Sequence, residues 1–310
     1  MLKYIGKRLL AMIPVVLGVT LIVYCIMSLA PGDPARTILG EQASVEQVEA
    51  LREEMGLNDP IIVQYLRYIW NLLHGDFGTS YQSRIDVSTE IWSRFPNTIK
   101  LALVASLISV VLALPLGIIA AVKQNTFFDS FSMFIAIIGI SCPTFWFGLI
   151  LILVFAVNLK WFPVSGQVNT LKGIILPALT LGFNSMAAMA RVTRSSMLEV
   201  IRQDYIRTAR AKGVSNRNVI LQHAVPNAMI PTVTVIGLRI GGLLAGAVIC
   251  ETVFAWPGIG RLTVAAINSR DMTLATGCII MFTLMLNLTL LIVDIAYAYV
   301  DPRVKARYSK

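Results

Sequence analysis

Six runs of apolar residues, each near the length that crosses a bilayer, constrain this chain more than any other feature. They lie at about 9–30, 97–122, 131–157, 174–190, 229–254 and 273–300. A membrane-crossing helix needs roughly 20 mostly apolar residues, and hydrocarbon tolerates only segments that satisfy their own backbone groups. The runs therefore predict an all-α polytopic membrane protein with six transmembrane helices. Composition agrees, since 56% of the 310 residues are hydrophobic and 14% are charged, and mean hydropathy is +0.72. Soluble domains carry about a quarter charged residues. The first run ends in a small-x-small pattern, Ser28 to Ala30, but it is longer than the roughly 7–15 apolar residues of a signal peptide. It reads as a span.

Charge orients the spans. The net charge of +9 would suit a nucleic-acid binder, but the basic residues gather in alternate loops, the pattern of cytoplasmic segments. Lys3, Lys7 and Arg8 precede the first run. Between 191 and 226 there are seven basic and two acidic residues. Residues 31–96 carry five arginines against ten acidic residues, which suits the opposite face. Six spans then leave both termini in the cytoplasm, and no nucleic acid is expected as a partner. Cys25, Cys142, Cys250 and Cys278 lie in or beside apolar runs, with no C-x-x-C, and His74 and His223 have no ligand-like neighbours. No metal site is expected.

Residues 31–96 read as a helical insert. PGDP at 31–34 is turn chemistry. Ser44 with Gln47 forms the pattern of a capping box opening a helix that presents Val45, Val48, Leu51 and Met55, with Gly56 stopping it. Ile61 to Leu73 reads as an amphipathic, aromatic helix. HGDFGTS at 74–80 is a glycine-punctuated loop, and no G-x-x-x-x-G-K-[ST] occurs anywhere, so no P-loop is expected. Within the spans, Pro143 frees a backbone carbonyl; a bend lining a path and a packing kink are both compatible with it. Asn184 lies in the short fourth run, where a polar side chain must face protein or water. Arg239, a costly mid-span charge, needs either a partner such as Asp294 or a watery path. Gly237-x-x-x-Gly241 and Gly242-x-x-x-Gly246 permit close helix approach, within the subunit or between subunits. After Glu251, the Pro257–Gly258 turn in WPGIGRL reads as an outer loop and candidate gate.

Between the fourth and fifth runs lies a basic island, Leu198 to Asn227. Leu198, Ile201, Tyr205 and Ala209 recur at the spacing of one helix face. Gly213 offers a helix-ending position, and a second helical run extends to His223 before Pro226. The island suits a docking knob for a soluble partner; a solvated basic loop near anionic lipid is the plainer alternative.

Arg207-Thr208-Ala209, Gly213 and Pro226 resemble the E-A-A–three residues–G–nine residues–I-x-L-P loop of ABC-importer permeases. Arg207 and Thr208 stand where that pattern has Glu and Ala, His223 where it has Ile, and Val225 where it has Leu. The wording DYIRTARAKG, with PGDPA, HGDFGTS and WPGIGRL in order, is similar to the dipeptide/oligopeptide branch, which also includes nickel and glutathione permeases. That resemblance implies a type I ABC importer permease fold in a bacterial or archaeal cytoplasmic membrane. It divides the chain into a cytoplasmic N-terminus 1–8, a first span 9–30, an extracytoplasmic insert 31–96, a five-span core 97–300 containing the coupling loop 195–226, and a cytoplasmic tail 301–310. It also implies ATPase coupling through Asp204, Tyr205, Arg207, Thr208, Ala209, Gly213 and Pro226, and a path or gate at Pro143, Asn184, Arg239, Glu251, Pro257 and Gly258. The implied partners are the lipid bilayer, a second homologous permease, two ABC ATPase subunits that hold ATP and Mg2+, and an extracytoplasmic solute-binding protein. Catalytic residues and cofactors of its own are not expected. The implied cargo is di- or oligopeptide, with nickel, a metal chelate or glutathione as alternatives. A secondary transporter is the rival from another class, disfavoured because no repeated halves are evident.

Overall fold

The computed structural model describes residues 2–29, 33–40 and 42–300. The expected tail 301–310, and Pro31 and Gly32 of the PGDP turn, lie outside the described residues. The described residues form helices α1 (Leu2–Leu29), α2 (Pro34–Leu39), α3 (Val45–Glu54), α4 (Ile61–Leu73), α5 (Val87–Val122), α6 (Phe127–Ser141) and α7 (Thr144–Leu151). They continue as α8 (Leu171–Ile201), α9 (Asp204–Ala211), α10 (Asn216–Asn218), α11 (Val225–Val253), α12 (Ile259–Asn268) and α13 (Met272–Val300). Wider π turns extend α7 over Ile152–Asn158 and precede α11 over Val219–Ala224. Five helices are long and apolar enough to cross a membrane, and the pair Phe127–Ser141 and Thr144–Asn158 would supply a sixth crossing if it acts as one span.

The described residues separate into two compact units, one of residues 99–256 and 288–300, the other within residues 2–98 and 257–287. The first unit is organised on α8. Seventeen of its residues are buried, among them Leu181, Met186 and Met189, and α6, α7 and α11 pack around it. Expected as a short span at 174–190, α8 is instead a helix of 31 residues. Its polar residues depress hydropathy because they are shielded by protein, so a hydropathy reading underestimates it. Small residues let its neighbours close in. At Gly117 of α5, a Cβ would lie 2.6 Å from the Ala190 carbonyl and from Thr193 Cβ. Ser109 Oγ lies 2.6 Å from the Ala105 carbonyl and 2.9 Å from that of Gly182, tying α5 to α8. The expected small-residue face of α11 packs within the subunit at two positions, Gly237 against Val293 and Gly246 against Leu181, while Gly242 is open.

The third run is interrupted at Pro143, where the sequence allowed a bend or a kink. Its two helices meet at a bend of 112° beside Pro143. The reason is local, because a proline denies its backbone N–H to the carbonyl four residues earlier.

The second unit holds the insert. Asp33 accepts from the Ala35 N–H at the start of α2. Ser44 and Gln47 form the expected reciprocal capping box of α3, and Gly56 comes after it with φ +65°. WPGIGRL differs from expectation, since α12 begins at Ile259 and only its first residues are loop. Pro-Gly reads as a turn in sequence, but Thr98 Oγ1 accepts from the Ile259 N–H at 2.9 Å and so caps a helix there. The hub of this unit is Asp271, which is buried. It accepts from Ser80 Oγ at 2.6 Å, from the Gln82 N–H at 3.3 Å and from the Leu274 N–H at 3.0 Å, the last capping α13. Burial pushes the nearby Tyr81 phenol above its ordinary pKa; a hydrogen bond with Thr273 works against that rise and the Asp271 carboxylate adds to it.

Removing the hub leaves three donors without their acceptor. Asp271→Ala is expected to destabilise the insert by about 2–3 kcal/mol, the combined scale of a lost cap and of hydrogen bonds to a charged group. Faster protease nicking within residues 74–86 of the purified protein would report it.

Candidate functional site

The basic island is neither a single helix nor a loose loop. After Ile201 the α8 backbone breaks at Arg202 and Gln203 and restarts as α9. This corrects the continuous face expected through Tyr205. The break resets the helical phase, so Ile206 is fully buried and Tyr205 is exposed. Ile206 inserts among Met197, Val219, Ile220, Ala224 and Ala228, joined by Ala121. One apolar anchor thus holds an otherwise polar helix against the ends of its neighbours.

The end of α9 is stiff. The Gly213 N–H bonds the Arg210 carbonyl at 3.0 Å and the Val214 N–H bonds that of Ala209 at 3.3 Å. With Gly213 at φ +82°, this is the paired hydrogen-bond pattern of a Schellman turn. An added Cβ at Gly213 would meet nothing within 4 Å, so the demand for glycine is conformational rather than steric. The expected second helix to His223 is a short α10 continued by a π turn. Pro226 lies in the first turn of α11, directly after the π turns of Val219–Ala224.

Asp204, Arg207, Thr208, Arg210, Lys212 and Gly213 are all exposed and Ala209 is half-buried. Thr208 Oγ donates back to the Asp204 carbonyl at 3.0 Å. Arg207 and Asp204 stand 3.8 Å apart with both side chains largely in solvent, an ion pair of little worth. Residues 202–217 carry five basic side chains and one acid. The result is a convex, cationic surface of fixed shape.

Behind it lies a pair that sequence reasoning missed. Arg194 Nε and Nη2 donate to Asp129 Oδ1 and Oδ2 at 2.6 and 2.8 Å, and the Asn125 N–H adds a bond to Oδ2 at 3.0 Å. Asp129 is buried and Arg194 mostly so. The pair ties the start of α6 to α8 two turns before the loop. Its only sequence signal was an acid beside an apolar run, which calls for a partner.

The expected path residues do not form one cluster. Pro143 lies at the bend, and Asn184 Nδ2 donates to the Gly139 and Ile140 carbonyls at 3.2 and 3.4 Å. Gly139 is four residues before Pro143, so Asn184 satisfies the carbonyl that the proline leaves without a donor. Arg239 is exposed on α11, and among the described residues no ion pair joins it to Asp294. Glu251 is fully buried in the first unit. In the second unit Gly258 is buried, and Pro257 accepts from Asn97 Nδ2 at 2.8 Å.

Long apolar helices, a buried α8 and one exposed basic helix define an all-α polytopic membrane protein. A solved amino acid ABC transporter with histidines shares its fold, with a TM-score of 0.56 at 14% identity over 68% of this chain and 94% of that one. Residues 1–102 match the N-terminal model of binding-protein-dependent transport system membrane components, and residues 113–306 match the model of their inner membrane component. The chain belongs to this family of binding-protein-dependent transport system inner membrane components. It is 43% identical to the dipeptide transport system permease protein DppB of Alkalihalophilus pseudofirmus, over 98% of this chain and all of that one. It is 44% identical to the glutathione transport system permease protein GsiC of Salmonella paratyphi A, over 98% and 99%. To DppB of Escherichia coli K12 it is 41% identical over the same shares.

Two substitutions test the site's supports. Asp129→Ala is expected to lower stability by about 2–3 kcal/mol, toward the low side of a broken buried pair because Arg194 keeps some exposure. Asp129→Leu with Arg194→Leu is expected to recover much of that loss, read by thermal unfolding in lipid nanodiscs. Asn184→Ala leaves the Gly139 carbonyl unpaired and is expected to cost about 1–3 kcal/mol by the same assay.

Proposed function

We propose that this chain is the permease subunit of an ATP-driven importer of short peptides, coupled to its ATPases through α9. The observation that carries the reading is a cationic helix of fixed shape, anchored by Ile206 with Ala209 beside it and set between the buried α8 and the long α11. In this role Asp204, Tyr205, Arg207 and Thr208 form the contact face. Ala209 and Gly213 supply the turn, and Pro226 starts the next span.

The basic residues support a cytoplasmic side for that face, the N-terminus and the tail. Two ATPase subunits there would hold ATP and Mg2+. A second permease would complete the path, and a solute-binding protein would deliver cargo on the opposite side. Closure of the ATPases pushes on α9, and α8 carries the displacement into the core, giving alternating access. The bend at Pro143, held by Asn184, and the exposed Arg239 are candidates for the path wall. Arg239 would attract a peptide carboxylate, and Glu251, Pro257 and Gly258 are further candidates for path or gate.

The relatives named for dipeptide and for glutathione support one substrate class, a short peptide with free carboxylates. Glutathione is the second reading, favoured by a relative as similar as the dipeptide permeases.

The assay is ATP hydrolysis and uptake by the reconstituted complex with its binding protein, offered dipeptides, oligopeptides, glutathione and nickel. A peptide is expected to stimulate hydrolysis. Gly213→Pro, which can adopt neither φ +82° nor the Arg210 hydrogen bond, is expected to abolish stimulated uptake while the subunits still co-purify. Normal coupling in Gly213→Pro would remove α9 from the mechanism; stimulation by nickel alone would remove the peptide.

A further inference from the structure

The amphipathic helix α4 belongs to the stretch that charge assigns to the extracytoplasmic insert, yet its contacts place it elsewhere. Tyr65, its one buried residue, hydrogen-bonds the Leu17 carbonyl at 2.8 Å and lies 2.9 Å from Thr20 Oγ1. Tyr24 Oη donates to Gln64 Oε1 at 3.2 Å, and its ring lies 5.9 and 6.1 Å from those of Tyr65 and Tyr68. The span in α1 runs from Arg8 to Ser28, so Leu17 and Thr20 bracket its middle. At 1.5 Å per residue, Thr20 lies about 12 Å inside the Ser28 end, close to half of a roughly 30 Å hydrocarbon layer. A hydroxyl at that depth needs a partner from protein, and Tyr65 supplies it. One side-chain length then separates α4 from the hydrocarbon middle.

The rest of α4 fits that depth. Ile62, Leu66, Trp70 and Leu73 fall on one face at helical spacing and are 68, 59, 64 and 76% exposed. No charged residue interrupts them. The other side of the helix carries Gln64, Arg67, Tyr68 and Asn71 and lines a cavity of about 400 Å³ of mixed polar and apolar lining. Arg67 is held by Asp59 at 2.6 Å.

We infer that α4 is embedded in the bilayer beside α1, its Ile62–Leu66–Trp70–Leu73 face covered by lipid acyl chains in the leaflet at the Ser28 end of α1. The segment expected to cap the membrane from outside is in part a lipid-bathed wall, and its polar side bounds a cavity shielded from that lipid. Trp70 suits this position, because its ring is apolar with a single polar edge.

The test is site-directed spin labelling of the assembled transporter in proteoliposomes. Cys25→Ala and Cys142→Ala remove the partly accessible thiols, and buried Cys250 and Cys278 stay in place. Labels at Leu66→Cys and Leu73→Cys are expected to collide more with dissolved oxygen than with a water-soluble nickel chelate; a label at Asn71→Cys is expected to show the reverse. Greater chelate access at 66 and 73 would make α4 a soluble cap. Shielding of both sites from both reagents would mean a protein, such as the second permease, covers the face. Either result overturns the inference.

Discussion

A hydrocarbon phase supplies no hydrogen-bond partner, so each polar atom carried into it must bring its own. Much of this structure results from meeting that demand. Pro143 leaves the Gly139 carbonyl without its helical donor, and Asn184 answers from α8. Ser109 sits within reach of two carbonyls, on α5 and α8, at once. Asp129 and Arg194 neutralise each other with two parallel bonds. Among the described residues, the buried hydroxyls of Tyr68, Thr180 and Thr276 have no hydrogen-bond partner. Each satisfied pair joins two helices, so the solvation requirement also fixes which helices are neighbours.

Helix α8 has two jobs that this arrangement makes compatible. Its middle is the packed centre of the first unit, and its end delivers the chain to α9. Close-packed interiors transmit displacement rather than absorb it. In the proposed importer, a push on α9 therefore reaches the core through Ile206 and Met197, while the Asp129–Arg194 pair makes α6 move with α8. A flexible loop in place of the Schellman turn would dissipate the same push in its own backbone.

The apolar runs made the helical class and the span positions legible, and the Ser44–Gln47 spacing marked the α3 start directly. Gly213 was also readable as a helix stop, because only its backbone freedom matters there. The break at Arg202–Gln203 was not, since neither glycine nor proline marks it; packing of Ile206 decides it, and tertiary contact overrides local pattern. The helix α12 hid behind Pro257–Gly258, whose turn chemistry gave no hint that Thr98, 161 residues from Ile259, caps the helix beginning there. Asp129 and Arg194 are 65 residues apart, and no periodicity links them.

In the proposed importer, what α9 would offer a partner is shape first and charge second. Its internal ion pair is exposed and spans 3.8 Å, so it contributes little rigidity. Rigidity comes from Ile206, which fixes the roll of the helix, and from the αL turn at Gly213, which fixes where it ends. The five basic side chains around that frame raise the rate of encounter with an acidic surface and disfavour basic ones, the usual division between steering and fit. Ile206 with Ala209 on one side and the tight turn at Gly213 hold α9 in one shape at the end of α8. That combination, a stiff element on a narrow mount, is what a surface must have if force is to pass through it rather than deform it.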